Sequence, residues 1–170
     1  MLIMGPGGPE AYARIRTLSY PKTAVFVLCF CVTQPRSFAN AKELWKPELK
    51  YHSRDVPIVL VGTKIDLRAD EQTVKELTKY NESGITTEMG EQLAKEIGAE
   101  RYVECSALTN EGMKETFDSI LIVGANYAAK RLGQPPFSTS GSTTNKPKRC
   151  IICDLNMPQD HTLCCFKCLA

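Results

Sequence analysis

The sequence predicts an α/β fold, a parallel sheet with helices flanking it. Two observations support this fold class. Continuous apolar runs, of the kind found in strands buried on both faces, recur along the chain. Each run is followed by a segment with helical spacing of its apolar residues, and strands that alternate with helices form right-handed βαβ units. The composition, 43% hydrophobic and 24% charged, is that of a globular domain.

Three runs predict the strands. Residues 24–32 read AVFVLCFCV, residues 56–62 read VPIVLVG, and residues 101–107 read RYVECSA. All three are rich in β-branched and aromatic residues, which favour strands.

Four segments predict helices between and after these strands. The first follows Ser37, a candidate N-cap, and Pro47 is expected to kink or end it. Residues 70–83 predict a short charged surface helix, and residues 86–98 predict a helix that opens at a threonine and closes at a glycine. The last helix ends near residues 132–133.

Composition also divides the chain into three parts. Residues 1–132 form the predicted domain. Residues 133–149, rich in Gly, Pro, Ser and Thr, predict a flexible linker. Residues 150–170 form a tail that carries five of the eight cysteines.

Charge and hydropathy exclude several classes of protein. The net charge of +2 gives no case for nucleic-acid binding. The sequence has neither an apolar run of 18 residues nor a secretory leader, so we expect a cytoplasmic protein. In a reducing compartment, Cys29, Cys31 and Cys105 are expected to act as small apolar residues within strands.

Two loops that leave predicted strand ends carry matching chemistry. In parallel sheets, ligands bind at the carboxyl ends of the strands. The loop Thr63-Lys64-Ile65-Asp66 offers a carboxylate that can accept two N–H bonds from the edge of guanine, and a lysine stem that can lie across the ring. The loop 105–108 (Cys-Ser-Ala-Leu) offers the backbone N–H of Ala107 to the guanine carbonyl oxygen. Either tetrapeptide alone is a weak signal, but the pair is a strong one.

Several stretches resemble a small GTPase of the Rho family over residues 10–132. They are YARIRTLSYP (12–21), FVLCFCV (26–32), SFANAKELWKPEL (37–49), PIVLVGTKIDLR (57–68) and YVECSALTNEGMKETFDSI (102–120). The charged helix at 70–83 resembles the insert that separates Rho proteins from other small GTPases. The resemblance implies a P-loop-NTPase or Ras-like sheet, a GTP or GDP cofactor, and a guanine site formed by Thr63, Lys64, Asp66, Ser106, Ala107 and Leu108.

The segment 4–10 (MGPGGPE) has three glycines but is not a phosphate loop. Pro6 and Pro9 remove backbone donors, and no lysine follows. By resemblance it matches the start of switch II, with Gly8 at the γ-phosphate glycine. Gly5 replaces the aspartate that works through Mg²⁺, and Pro9 replaces the glutamine that orients water.

The phosphate loop, switch I and the first two strands of the family have no counterpart in the sequence, so the match is to an incomplete domain. We therefore expect no catalytic residue, no Mg²⁺ ligand and no GTP hydrolysis. We also expect nucleotide affinity that is millimolar or weaker, about −4 kcal/mol. The missing strand would leave residues 24–32 with an open edge.

The resemblance leaves three readings of function. The leading one is guanine-nucleotide signalling of the Rho type. The alternative is a non-enzymatic decoy for Rho regulators or effectors, which would bind through Tyr12, Arg14, Arg16 and Leu18. The third is an incomplete gene product whose upstream sequence restores activity.

The tail also leaves alternatives open. KPKRCIIC (146–153) resembles the basic and prenylated end of Rho proteins, but prenylation reads the last four residues, here Lys-Cys-Leu-Ala, so none is expected. The cysteines and His161 suit zinc, palmitoylation at the cytoplasmic face of a membrane, or no modification at all.

Overall fold

The computed structural model describes residues 13–136 and 167–169. Its sheet is parallel throughout, in the order β3-β2-β1-β4. The strands are β1 (Phe26–Cys31), β2 (Ile58–Thr63), β3 (Arg101–Cys105) and β4 (Lys167–Leu169). The predicted α/β class is confirmed. β1 and β3 lie within their predicted runs, and β2 extends one residue past its run, to Thr63.

The helices connect these strands and also precede and follow them. They are α1 (Ala13–Thr17), α2 (Pro35–Asn40), a π turn (Ala41–Trp45), α3 (Lys46–His52), a 3₁₀ helix (Ile65–Ala69), α4 (Glu71–Lys79), α5 (Thr87–Ile97) and α6 (Met113–Arg131). Among the residues described, no helix has the length and apolar character needed to cross a bilayer.

Alternate residues of β1 and β2 contribute to two separate hydrophobic cores, one on each face of the sheet. They do so because successive side chains of a strand point to opposite faces. Leu28, Phe30 and Leu60 pack on one face against the π turn and α5. Val27 and Val59 pack on the other face, where α6 covers them. Burial on both faces explains why the strands read as continuous apolar runs.

Pro47 does not end its helix, which is one of the two outcomes that the sequence predicted. Residues 35–52 remain helical, and the chain passes through a π turn immediately before the proline. In that turn the N–H of Lys46 bonds to the carbonyl of Ala41, five residues back. A proline cannot donate and would crowd the carbonyl four residues before it, so the wider turn removes the conflict.

Ser37 is also not the N-cap that the sequence suggested. The helix begins after Gln34, with Pro35 in its first turn. The hydroxyl of Ser37 accepts a hydrogen bond from the Cys31 N–H at 2.9 Å and thereby ties α2 to the end of β1.

The caps of the next two helices agree with the sequence. Asp70 caps α4 by accepting from the N–H of Thr73 at 2.9 Å. Thr86 caps α5 by accepting from the N–H of Met89 at 3.3 Å, and Gly98 ends that helix with a φ of 74°. The predicted charged helix and the predicted threonine-to-glycine helix are therefore confirmed.

The edge of β1 is not fully open. Phe26, Val27 and Leu28 pair in parallel with Lys167, Cys168 and Leu169. A strand from the end of the chain thus covers half of the edge that we expected to be bare. Residues 137–166 and 170, which include most of the predicted linker and the candidate zinc and palmitoylation cysteines other than Cys168, lie outside the described residues.

A buried ion pair joins α1 to α3. Arg16 is only 4% exposed. Its Nε and Nη2 donate to the two carboxylate oxygens of Glu48 at 2.9 and 2.7 Å. Tyr20 donates a further hydrogen bond to Glu48, and the guanidinium lies 4.7 Å from the ring centroid of Trp45. The bond from Arg16 lowers the pKa of Glu48 and keeps the pair ionised.

We expect Gly90→Ala to destabilise the fold by about 1–3 kcal/mol through overpacking. A Cβ at Gly90 would lie 2.2 Å from the hydroxyl of Tyr102. The Tyr102 ring has little freedom to retreat, since it stacks on Phe30 at 6.2 Å and its hydroxyl donates to Glu104. The measurement is the free energy of unfolding in urea.

Gly84→Ala is the matched control for this test. Its Cβ would lie 3.6 Å from the nearest atom, the carbonyl oxygen of Val32, which is ordinary contact. Equal unfolding free energies for the two variants would contradict the close approach of α5 to β3.

Candidate functional site

Two loops leave neighbouring strands at the same edge of the sheet. Strand β2 ends at Thr63 and β3 ends at Cys105, and these two residues are paired in the parallel ladder. The loops that follow are therefore adjacent, as the sequence analysis required of a shared ligand site. The carboxyl ends of parallel strands are where such folds bind ligands.

The first loop presents a carboxylate and an ammonium group. Lys64 is exposed and has left-handed backbone geometry, with φ 60° and ψ 41°. Asp66 lies in the first turn of the 3₁₀ helix and is half-buried. Within residues 13–136 no donor is bonded to its carboxylate, which leaves it available to a ligand. Thr63 anchors the loop, because its hydroxyl donates to the carbonyl of Phe30 at 2.9 Å.

The second loop presents backbone rather than side chains. Ser106 is fully buried, and its hydroxyl accepts from the N–H of Thr109 at 3.1 Å. Its own N–H bonds to the carbonyl of Glu111 at 2.9 Å. These bonds hold the turn so that Ala107 and Leu108 face outward, with Leu108 81% exposed. Ser106 thus shapes the loop, while the N–H of Ala107 has no acceptor among residues 13–136.

An ion pair that the sequence analysis did not anticipate braces the two loops against each other. Arg68, two residues after Asp66, donates from both terminal nitrogens to Glu104 at 2.9 and 2.8 Å. It also donates to the carbonyl of Ile85 at 3.1 Å. Glu104 precedes the last residue of β3, so the bidentate pair fixes the first loop relative to the second.

The surroundings of Glu104 keep it ionised. Burial by itself opposes ionisation of this carboxyl group, but hydrogen bonds from Arg68, Tyr102 and Thr87 outweigh burial and lower its pKa. Burial, followed by the hydrogen bond to Glu104, raises the pKa of Tyr102, whereas the charge of Arg68 lowers it. A carboxylate near the end of a half-buried strand was the sequence signal that a cation must lie nearby.

Comparison with known families identifies the chain. A family model described as Ras family matches residues 1–123. The chain belongs to the Ras family. It is therefore a small GTPase-like protein of the class that binds GTP and GDP in signalling, and its sheet is Ras-like.

The guanine-nucleotide cofactor of the Ras family suits part of what the structure shows. A free carboxylate at Asp66 and an outward N–H at Ala107 match the donor and acceptor edges of guanine. For Mg²⁺, the described residues contain no group of three or more His, Cys, Asp or Glu side chains that could hold a metal ion. The part of the nucleotide that the described residues fit is the guanine base.

A cleft of about 420 Å³ adjoins the first loop. Its lining includes Lys64 and Leu67, together with Thr33 and Tyr80. Cys31, the last residue of β1, also lines it.

The residues expected to contact partners fall in different environments. Arg14 is exposed and Leu18 is 78% exposed, as a contact surface requires. Arg16 differs from the expectation, because it is buried against Glu48 and Trp45 and acts as a structural residue. Tyr12 lies outside the described residues.

We expect Glu104→Gln to lower the free energy of unfolding by about 2 kcal/mol at neutral pH, since a charged hydrogen-bonded partner of Arg68 is lost. The wild-type pKa of Glu104 lies below its usual 4.5 in the folded state. The stability that it contributes is thus present above that pH and lost as the pH falls through the folded pKa. The variant should therefore lose less stability than wild type as the pH falls from 4.5 through the folded-state pKa of Glu104.

Asp118→Asn provides the comparison for Glu104→Gln. Asp118 is 51% exposed and pairs only with Lys114, one helical turn away, so little change is expected. Urea unfolding at several pH values measures both variants. A Glu104→Gln protein with the pH dependence of wild type would contradict the assignment of the ion pair.

Proposed function

We propose that this Ras-family protein is of the Rho type and recognises guanine nucleotides through their base. Asp66 accepts from the ring N–H and exocyclic amine of guanine, and the N–H of Ala107 donates to its carbonyl oxygen. Lys64 covers one face of the ring. The observation that carries the proposal is the pairing of Thr63 with Cys105, which places both loops side by side.

The Rho assignment is supported by α4. Counted with its N-cap Asp70, this helix carries three acidic and two basic residues. It follows the 3₁₀ helix that begins in the first guanine loop. It occupies the position of the insert that the sequence resembles. Arg68, at the entry to this helix, ties it to β3.

The proposal concerns base recognition and signalling rather than hydrolysis. The 170 residues contain no Gly-x₄-Gly-Lys-Ser/Thr motif and no water-orienting glutamine at position 9, where proline stands. Without the phosphate contacts, we expect this polypeptide to bind guanosine and GDP with similar, roughly millimolar affinity, about −4 kcal/mol. We also propose a cytoplasmic location, with the tail cysteines as sites for acylation at a membrane surface.

We expect the 170-residue protein to bind guanosine several-fold more tightly than inosine, which lacks the exocyclic amine. The difference should vanish in Asp66→Ala, because the carboxylate that accepts from that amine is gone. Ligand-observed NMR titration suits the weak affinity expected and gives both dissociation constants.

Asp118→Ala, which removes an exposed carboxylate on α6, should retain the preference for guanosine. Equal affinity of the wild-type protein for guanosine and inosine would contradict base recognition. Sub-micromolar, Mg²⁺-dependent binding of GTP with turnover would contradict the restriction to the base.

A second candidate function, a decoy for Rho regulators or effectors, is favoured by one observation. Leu18 is a large apolar side chain that is 78% exposed, next to the exposed Arg14 on α1. Arginine is enriched among the residues that dominate interface binding energy, and a large exposed apolar side chain adds area that can be buried on binding. The ion pair of Arg16 with Glu48 attaches α1, which leads to Leu18, to α3.

We expect Leu18→Ser to weaken binding to the catalytic domain of a purified Rho exchange factor at least tenfold, through loss of an apolar anchor. Calorimetric titration without nucleotide measures the effect. Val74→Ser on α4, where the side chain is 45% exposed, is the control and should bind as wild type does. Binding that neither substitution changes would contradict the role of this surface.

A further inference from the structure

A second, larger cleft lies at the amino ends of the strands, whereas the guanine loops lie at their carboxyl ends. Its volume is about 1,420 Å³, and it is open to solvent along its length. The segments that lead into β1, β2 and β3 form one wall, and the last turns of α6 form another. Its position separates it from the guanine site by the length of the strands.

The cleft concentrates positive charge. Eight lysines and arginines line it against three acidic residues, an excess of five positive charges. The whole chain has a net charge of only +2, so the remainder of the chain is net negative. The cations come from separate parts of the fold: Lys22 and Arg54 from strand-leading loops, Lys50 from α3, and Lys130 and Arg131 from α6.

The acidic residues of the cleft leave most of this charge uncompensated. Glu96 is already bound by Lys42, which lies outside the cleft lining, at 2.7 Å. Among residues 13–136, neither Lys22 nor Lys50 nor Arg54 takes part in a salt bridge. All three side chains are exposed and can reach an anionic ligand.

The size and lining of the cleft indicate the kind of ligand. Pockets for small molecules measure about 300–1,000 Å³, so this cleft exceeds the volume that a single metabolite fills. Half-buried apolar side chains also line it, among them Ile58, Ile122 and Tyr127. A flat bilayer meets only the rim of a cleft, whereas an extended peptide can enter it, with apolar side chains against these residues and acidic ones against the cations.

The chain outside the described residues does not supply that peptide. Residues 137–166 contain three lysines and arginines against two aspartates, and residues 1–12 contain a single glutamate. Neither segment is complementary to an excess of five positive charges. Because neither of these two segments fits, we look for the acidic ligand on a partner protein.

We propose that this basic cleft is a docking site for an acidic, partly apolar peptide segment of a partner protein. Carboxylates of the segment pair with Lys22, Arg54 and the end of α6, while its apolar side chains pack against Ile122 and Tyr127. The site works independently of the guanine loops.

The test uses a fluorescent twelve-residue peptide in which glutamates alternate with leucines and valines, titrated into the 170-residue protein. We expect binding that weakens at least tenfold in Lys22→Glu/Arg54→Glu and that falls steeply with salt. The control is Lys75→Glu/Lys79→Glu on the exposed face of α4, which makes the same change in net charge outside the cleft. We expect the control to bind within twofold of wild type, and circular dichroism establishes that both variants are folded.

A matched peptide with glutamine in place of glutamate separates charge from apolar contact and should bind at least tenfold more weakly. Equal losses in the cleft and control variants would overturn the proposal, because they would show general charge attraction. Binding of phosphatidylserine vesicles or duplex DNA through the same cations, without binding of the acidic peptide, would overturn it as well. Guanosine binding by the cleft variant should equal that of wild type, so failure of this site leaves the guanine proposal standing.

Discussion

The Arg68–Glu104 ion pair is the constraint on which the arrangement of the two loops depends. Strand pairing brings Thr63 next to Cys105, but it does not determine how the chain continues beyond those residues. The bidentate contact of Arg68 with Glu104, at 2.8 and 2.9 Å, sets the path of the first loop against the end of β3. The loop that carries Asp66 is thereby held against the strand end at which the loop of Ala107 begins.

The sequence predicted the sheet and the position of both loops, because those features follow from local pattern. Both faces of the sheet are buried, so the residues of β1 and β2 are apolar without interruption. Asp70, Thr86 and Gly98 cap their helices through residues close to them in the sequence. The Arg68–Glu104 pair could not be predicted in the same way, since its partners are 36 residues apart and only the fold brings them together. Arg16 was assigned to the surface for the same reason, as its partner Glu48 is 32 residues away.

Pro47 shows a different limit of local reasoning. A proline within a helical pattern ordinarily ends or kinks the helix, and the sequence offers no sign of the alternative. The structure inserts one extra residue into the turn before it, so that Lys46 bonds to Ala41 and the helix continues. The result keeps Trp45 against Arg16 and Leu49 within the core, which a helix ended at Pro47 would not do.

The Arg16–Glu48 contact joins two distant surfaces of the molecule mechanically. Glu48 sits on α3 between Lys46 and Lys50, which border the basic cleft, while Arg16 belongs to the short helix that leads to Leu18. Any displacement of that short helix must break a buried bidentate bond or pull α3 with it. A ligand that moved either element would therefore have to work against the same ion pair.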